Sequence, residues 1–221
     1  MGGDGHLERG EEGVEVWTED RAKALLRERG LKTPPGTLLR AGEPLGPIDH
    51  PYPLAVKVCS RSVLHKTDVG GVVLGVRDPR ELAAAVEAVR GRFPEQNLLI
   101  ESMEAKGVEV IVGVLREPSF GLTIMFGLGG TLAELYKDVT FRLVPISRVD
   151  AESMLEDLRG RALLEGFRGV EVSRDALVDV LLGVSSLAES LGDRLVQMDL
   201  NPVFARAEDA VVVDAKLLLR S

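Results

Sequence analysis

Four polar side chains stand directly before a pair of glycines in the segment Val63-Leu64-His65-Lys66-Thr67-Asp68-Val69-Gly70-Gly71-Val72. Lys66 supplies a compact positive charge for phosphate oxygens. Gly70 and Gly71 allow backbone N–H groups to approach such oxygens closely, and His65 can act as acid, base or nucleophile near neutral pH. The segment therefore indicates a loop that handles phosphate, although a solvated turn between two strands fits the same residues.

The composition describes a globular protein of modest size. With 221 residues, 45% of them hydrophobic and 28% charged, the chain can bury one good-sized core or two small ones. No apolar run has the length of a membrane-spanning helix, and residues 1–13 read as a flexible polar tail rather than a signal peptide. We therefore expect a cytoplasmic protein that does not bind a membrane.

The cysteine content and the net charge exclude further classes of protein. Cys59 is the only cysteine, which rules out an internal disulfide framework and a cysteine-based zinc site. The net charge of −8 argues against binding to nucleic acid.

A single lysine interrupts an otherwise apolar strand. The segment Leu54–Cys59 is predicted to be a strand buried on both faces, with Lys57 inside it. A buried lysine needs a partner because its charge resists desolvation. Two interpretations are open: Lys57 extends to a sheet edge, or it is a cation directed at a nucleotide phosphate.

Two acidic residues follow in the next predicted strands. The strand Leu98–Ile100 runs into Glu101-Ser102-Met103. The alternation of Gly107–Val114 places Glu109 on the face opposite the valines. Glu109 is a solvated residue if that face is exposed, and a candidate ligand if the face is covered.

The last two predicted strands, 195–205 and 210–219, form a hairpin with a tight turn at Ala207-Glu208. Residues two apart on a strand share a face. Four polar side chains then lie together, with Asn201 opposite Asp214 and Asp199 opposite Lys216.

The hairpin offers ligands for a hard cation. Facing Cβ atoms lie roughly 4.5–5.5 Å apart, so the oxygens of Asn201 and Asp214 can converge on Mg²⁺, with phosphate and water completing the shell. A salt bridge between Asp199 and Lys216, beside a neutral Asn–Asp pair, is the alternative. A bulge at Pro202 would shift this register.

These features indicate a nucleotide clamp without a Walker loop or a kinase signature. The chain resembles the ATP-grasp β subunit of ADP-forming acetyl-CoA (acyl-CoA) synthetase, which is related to the β subunit of succinyl-CoA synthetase. The motifs that carry the resemblance run from about residue 14 to the end of the chain. They are His65 to Val72, Phe126-Gly127-Leu128-Gly129-Gly130, Lys137-Asp138-Val139-x-Phe141-Arg142-Leu143-x-Pro145, Asp199-Leu200-Asn201-Pro202 and Val213-Asp214-Ala215.

The resemblance implies an α+β (α/β) chain with an ATP-grasp fold, in which two lobes clamp a nucleotide. We expect lobes at 14–100 and 101–221, with the metal-binding hairpin in the second. The family converts acyl-CoA, ADP and phosphate into acid, ATP and CoA, and reverses the reaction. The resemblance also implies ATP or ADP with Mg²⁺ on this chain. A partner α subunit would bind CoA and carry a phosphorylated histidine, and we expect an α2β2 assembly.

The resemblance assigns a role to each motif residue. His65 would be the phosphoryl carrier, with Lys66 and Asp68 in the same catalytic loop. The remaining assignments are Lys57, Gly70, Gly71, Glu101, Met103 and Glu109 for the nucleotide, Asn201, Asp214 and Asp199 for the metal, and Glu134 and Arg142 for the phosphate or partner side.

Two departures from the family pattern and two other functions stay open. Arg61 follows Ser60 where the family often has proline, and Glu101-Ser102-Met103 replaces a common Gln-Glu-Met. The preference for adenine or guanine is therefore not assigned. The acyl group is not assigned either, because its choice would be set largely in the α subunit. A non-catalytic nucleotide-binding regulatory module, or an ATP-grasp carboxylate–amine ligase, would have no need for His65.

Overall fold

The computed structural model describes residues 13–63, 66–130 and 137–221. The strands in these ranges pair with one another in antiparallel fashion. Their bounds are β1 (Val14–Trp17), β2 (Gly36–Leu39), β3 (Leu54–Cys59), β4 (Val72–Val76), β5 (Asn97–Ser102), β6 (Val108–Glu117), β7 (Gly121–Leu128), β8 (Val139–Leu143), β9 (Leu195–Ala205), β10 (Ala210–Val212) and β11 (Ala215–Arg220). The helices are α1 (Glu19–Glu28), α2 (Pro79–Arg92), α3 (Arg148–Glu156) and α4 (Arg174–Leu191).

The strands form two sheets. The small sheet has the order β2-β5-β3-β4, and the large sheet has the order β1-β11-β9-β6-β7-β8 with β10 paired to β9. This mixture of helices and sheets agrees with the predicted fold class. No helix in the described ranges is both long and apolar enough to cross a bilayer.

Each sheet has its own hydrophobic core. Helix α2 packs on the small sheet, and its first turn is fixed because the Asp78 side chain accepts hydrogen bonds from the N–H groups of Arg80 and Glu81. Helices α3 and α4 pack on one face of the large sheet. The fully buried members of the large core include Val112, Ile124, Phe126, Leu177 and Leu181.

The N-terminal segment belongs to the large sheet. Strand β1 pairs with β11, with Val14 opposite Arg220, and Ala22 and Leu26 of α1 lie in the large core. The predicted division placed residues 14–100 together in one lobe, whereas the small sheet covers only residues 36–102. Strand β1 has four residues and pairs with the far end of the chain, so nothing local in the sequence reveals its partner. The division into lobes stays a prediction.

The C-terminal hairpin has the predicted register as far as Leu218, after which the pairing of β11 with β9 shifts by one residue. Lys216 lies opposite Asp199, and the N–H of Asn201 donates to the carbonyl oxygen of Asp214 at 3.2 Å. The irregularity expected at Pro202 falls instead in the pairing of β9 with β6. Two residues of β9, Asn201 and Pro202, lie there opposite the single residue Ile111, which is the pattern of a bulge.

We predict that Gly107→Ala lowers the free energy of unfolding. Gly107 lies where the chain enters β6, and a Cβ there would sit 2.2 Å from the carbonyl oxygen of Ala205. Overpacking against backbone costs about 1–3 kcal/mol, which urea unfolding would measure. Gly46→Ala is the matched control because a Cβ at Gly46 meets no atom within 4 Å. An unchanged stability for Gly107→Ala would contradict this contact.

Candidate functional site

A cavity of about 800 Å³ lies between the small sheet and the β9–β11 part of the large sheet. Most of the predicted site residues line it, although they come from distant parts of the chain. They are Lys57, Lys66, Asp68, Glu101, Met103, Glu109, Asp199, Asn201 and Asp214. The structure therefore brings the predicted phosphate, nucleotide and metal groups around one space.

The remaining predicted residues lie elsewhere. His65 and Glu134 fall outside the described residues. Gly70 and Gly71 do not line the cavity. Arg142 donates to the Ser153 hydroxyl at 2.9 Å and to Asp157 at 2.5 Å, so its guanidinium is held against α3.

The two loop glycines are required by close packing and by backbone conformation. The N–H of Gly71 donates to the Lys66 carbonyl, and its own carbonyl accepts from the Val58 N–H, each at 2.7 Å. A Cβ at Gly71 would lie 2.6 Å from a methyl of Val58. Gly70 has a φ of +69°, which glycine adopts without strain. The pair thus joins the Lys66 turn tightly to β3.

Lys57 is paired inside the protein rather than extended to an edge. All six residues of β3 are buried, and Lys57 is 6% exposed. Its ammonium lies 2.7 Å from Glu19 Oε1 and 2.9 Å from Glu101 Oε2, and it donates to the Val213 carbonyl at 3.2 Å. Two carboxylates therefore compensate the buried charge, as the desolvation argument requires.

Lys23 and Glu19 complete a cluster that the sequence interpretation missed. Lys23 is 1% exposed, and its ammonium lies 2.7 Å from both Glu19 and Glu101. It also donates to the Val213 carbonyl at 2.6 Å. Lys66 bonds to Glu19 and lies 3.6 Å from Asp214. We call Glu19, Lys23, Lys57, Lys66 and Glu101 the lysine–carboxylate cluster.

The local signal for this cluster is weak. Glu19 and Lys23 are four residues apart on α1, which is the spacing of an ordinary surface ion pair on a helix. The sequence does not show that these two residues are buried, because their burial results from the packing of β3 and β5 against α1.

Electrostatics keeps the central pair ionised. Burial alone would raise the pKa of Glu19, but Lys57, Lys23 and Lys66 outweigh it and hold that pKa well below its usual range. Burial would likewise lower the pKa of Lys57, and Glu19 and Glu101 instead hold it well above its usual value. Both groups are therefore charged at neutral pH.

The part of the cavity formed by the C-terminal hairpin carries carboxylate and amide oxygens. Burial raises the pKa of Asp199, Lys216 opposes this rise, and the negative charge of Asp214 adds to it. Asp199 and Lys216 are both described, and their side chains form no ion pair, so the salt-bridge alternative is not what the structure has. Two repelling carboxylates beside the Asn201 amide are the ligand types of a hard divalent cation.

The small number of protein ligands also determines which further ligands such a cation would need. Within the described ranges, no three acidic, histidine or cysteine side chains group closely enough to hold a metal by themselves. Asn201, Asp214 and Asp199 therefore fit Mg²⁺ only together with phosphate oxygens or water, which is how this ion is commonly bound.

Glu101, Met103 and Glu109, the acidic and sulfur-containing residues predicted for the nucleotide, line the cavity near β5 and β6. Glu101 is 2% exposed, and its carboxylate is engaged by Lys23 and Lys57. The Met103 N–H donates to the Pro53 carbonyl at 2.8 Å. Glu109 is half-buried on β6 and faces the cavity, so its predicted face is covered.

Comparisons with known proteins agree with this geometry. The model of the ATP-grasp domain family matches residues 9–219. The chain is 40% identical to the β subunit of the ADP-forming acetate–CoA ligase II of Pyrococcus furiosus, over 95% of this chain and 94% of that subunit. The ADP-forming acetate–CoA ligase II of Archaeoglobus fulgidus is 38% identical over 91% of this chain, which spans 30% of that longer protein.

A comparison with a solved structure agrees with these sequence matches. The solved structure is the dinucleotide-forming acetyl-coenzyme A synthetase 1 of Ca. Korarchaeum cryptofilum, in complex with coenzyme A and Mg-AMPPCP, with its phosphohistidine segment pointing towards the nucleotide binding site. The TM-score is 0.81 at 35% identity, with 93% of each chain covered. The fold is that of an ATP-grasp domain. Within this class the chain belongs to the ADP-forming acetate–CoA ligase family, which confirms the predicted family and fold.

We predict that Lys23→Met lowers the free energy of unfolding by about 3–5 kcal/mol, because it removes one partner from a buried network of charges. Urea unfolding would measure the change. Lys32→Met is the control: Lys32 pairs with Asp209 at 3.2 Å on the surface, with a 64% exposed side chain, and its loss is expected to cost less than about 1 kcal/mol. Equal effects of the two variants would contradict the importance of the buried network.

Proposed function

We propose that this chain is the nucleotide-binding β subunit of an ADP-forming acyl-CoA synthetase. With its partner it would convert acyl-CoA, ADP and phosphate into acid, ATP and CoA. The observation that carries the proposal is that one cavity is lined both by lysines and by carboxylate and amide oxygens of the kind that bind Mg²⁺.

Lys57 and Lys66 would bind the nucleotide phosphates. Both line the cavity, and together with the bound ion they supply the cationic surroundings that phosphoryl transfer requires. The charged oxygens of ADP would share these ammonium groups with Glu19.

Asn201 and Asp214 would hold Mg²⁺, with Asp199 nearby. The bound ion would neutralise charge on the phosphate oxygens. The repulsion between Asp199 and Asp214 supports this assignment, because a cation between them relieves it.

His65 would carry the phosphoryl group in two displacements. In the first, a P–N bond to the partner's phosphohistidine breaks and a P–N bond to His65 forms. In the second, that bond breaks and a P–O bond to the terminal phosphate of ADP forms. His65 itself lies outside the described residues, but Lys66 and Asp68 of the same segment line the cavity.

The partner would be a CoA-binding α subunit, in an α2β2 assembly. The relative from Pyrococcus furiosus is itself a β subunit, which supports a separate partner chain. Arg142, and Glu134 outside the described residues, are proposed for the partner side.

Reconstitution tests the proposal. The chain, its α partner, acetyl-CoA, ADP, Mg²⁺ and phosphate are expected to form ATP, and His65→Ala is expected to abolish ATP formation while ADP binding persists. ATP release and calorimetric ADP binding are the two measurements. ADP binding without turnover in the wild type would favour the regulatory module. Full turnover by His65→Ala would remove the carrier role.

A second prediction concerns the metal wall. Asp214→Asn is expected to weaken ADP binding by roughly tenfold or more in the presence of Mg²⁺, because one charged ligand is lost, with little change in the urea midpoint. Calorimetry with and without Mg²⁺ would measure this. Asp175→Asn is the control, because Asp175 pairs with Arg148 on the surface and does not line the cavity. Equal losses in binding and in stability would indicate a structural role for Asp214.

A further inference from the structure

Two cavity lysines share one buried carboxylate. Glu19 is the first residue of α1 and is 4% exposed. Its Oε1 lies 2.7 Å from the ammonium of Lys57, and its Oε2 accepts from Lys66. Lys23 approaches from behind at 2.7 Å and does not line the cavity.

Glu19 and the two lysines lie in elements that are associated with different sheets. Lys57 lies in β3 of the small sheet, and Lys66 lies in the turn that Gly71 joins to β3. Helix α1, which carries Glu19, packs against β11 of the large sheet. The carboxylate therefore reaches both lysines from a helix that packs on the other sheet.

The two lysines depend on Glu19 to different degrees. Lys57 is also held by Glu101 and by the Val213 carbonyl. Among the described residues, the other acidic partner of Lys66 is Asp214, at the longer distance of 3.6 Å. Since the ammonium groups of Lys57 and Lys66 repel each other, Lys66 would move away from Lys57 if the shared carboxylate were lost.

We infer that Glu19 is a positioning residue for phosphate binding. It draws Lys66 towards Lys57, so that the two ammonium groups meet the terminal phosphate of the nucleotide together. Glu19 acts through the lysines and takes no part in the chemistry. The inference rests on the proposed function for its choice of nucleotide, but it is tested by binding without the partner.

Glu19→Gln keeps the shape of the side chain and removes its charge. We expect ADP binding to weaken by roughly tenfold and kcat/KM to fall on the order of 10- to 100-fold, because Lys66 is no longer placed. Binding of adenosine, which has no phosphate, is expected to stay unchanged. Calorimetry with ADP and with adenosine measures this difference.

A double-mutant cycle identifies the lysine through which Glu19 acts. Lys66→Met alone is expected to weaken ADP binding about as much as Glu19→Gln, and the double variant to be no weaker than either. Asp20→Asn is the matched control, since it removes the neighbouring acid of the same helix turn, whose carboxylate contacts Cys59 at 3.1 Å. If Glu19→Gln does not fold, Glu19→Asp takes its place in the cycle; it keeps the charge but withdraws the carboxylate from Lys66 by one methylene group, and is also expected to weaken ADP binding and leave adenosine binding unchanged.

The other outcomes overturn the inference. Tighter ADP binding by Glu19→Gln would mean that Glu19 competes with phosphate instead of placing the lysines. Weaker binding of adenosine as well, or losses that add in the double variant, would mean a general structural role. Wild-type protein that binds ADP but forms no ATP with the partner would refute the proposed function, while the binding cycle still decides the role of Glu19.

Discussion

The rest of the structure depends on the desolvated charges of the lysine–carboxylate cluster. Lys23, Lys57 and Glu19 are each at most 6% exposed, and buried ions are tolerated only where opposite charges and hydrogen bonds compensate them. The compensation comes from separate elements: α1 supplies Glu19 and Lys23, β3 supplies Lys57, and β5 supplies Glu101. Each ion has one partner within its own unit, but Lys23 also lies 2.7 Å from Glu101 and Lys57 lies 2.7 Å from Glu19. The burial of these charges is therefore fully compensated only when α1 and the small sheet pack together.

Because these charges are buried together, the base of the cavity is formed by polar side chains that are shielded from solvent. An apolar core between the sheets would have filled the same space with side chains. Lys57 and Lys66 instead line the cavity, where their charge is available to phosphate oxygens. The charges that join the two sheets are therefore the same charges that the proposed reaction uses. Activity and stability are linked through Glu19, which touches three lysines.

What the sequence predicts well is local. The strand around Lys57 has the predicted bounds because six consecutive apolar or buried positions define it, and the register of Asp199 against Lys216 follows from a short turn. The pairing of β1 with β11 joins opposite ends of the chain, so no neighbouring residue indicates it. Glu19 was missed for the same reason: its partners Lys57 and Lys66 are 38 and 47 residues away, and only the packed structure brings them together.

A short irregular segment of the C-terminal hairpin contacts the lysines and also contributes a side chain to the cavity. Strand β10 ends at Val212 and β11 begins at Ala215, so Val213 and Asp214 lie between two regular ladders. The Val213 carbonyl accepts from Lys23 and Lys57, while the next side chain, Asp214, lines the cavity and lies 3.6 Å from Lys66. In a continuous ladder that carbonyl would pair with a neighbouring strand or point to solvent, and the cluster would lack an acceptor. The break therefore provides an acceptor for the lysines and a candidate metal ligand in consecutive residues.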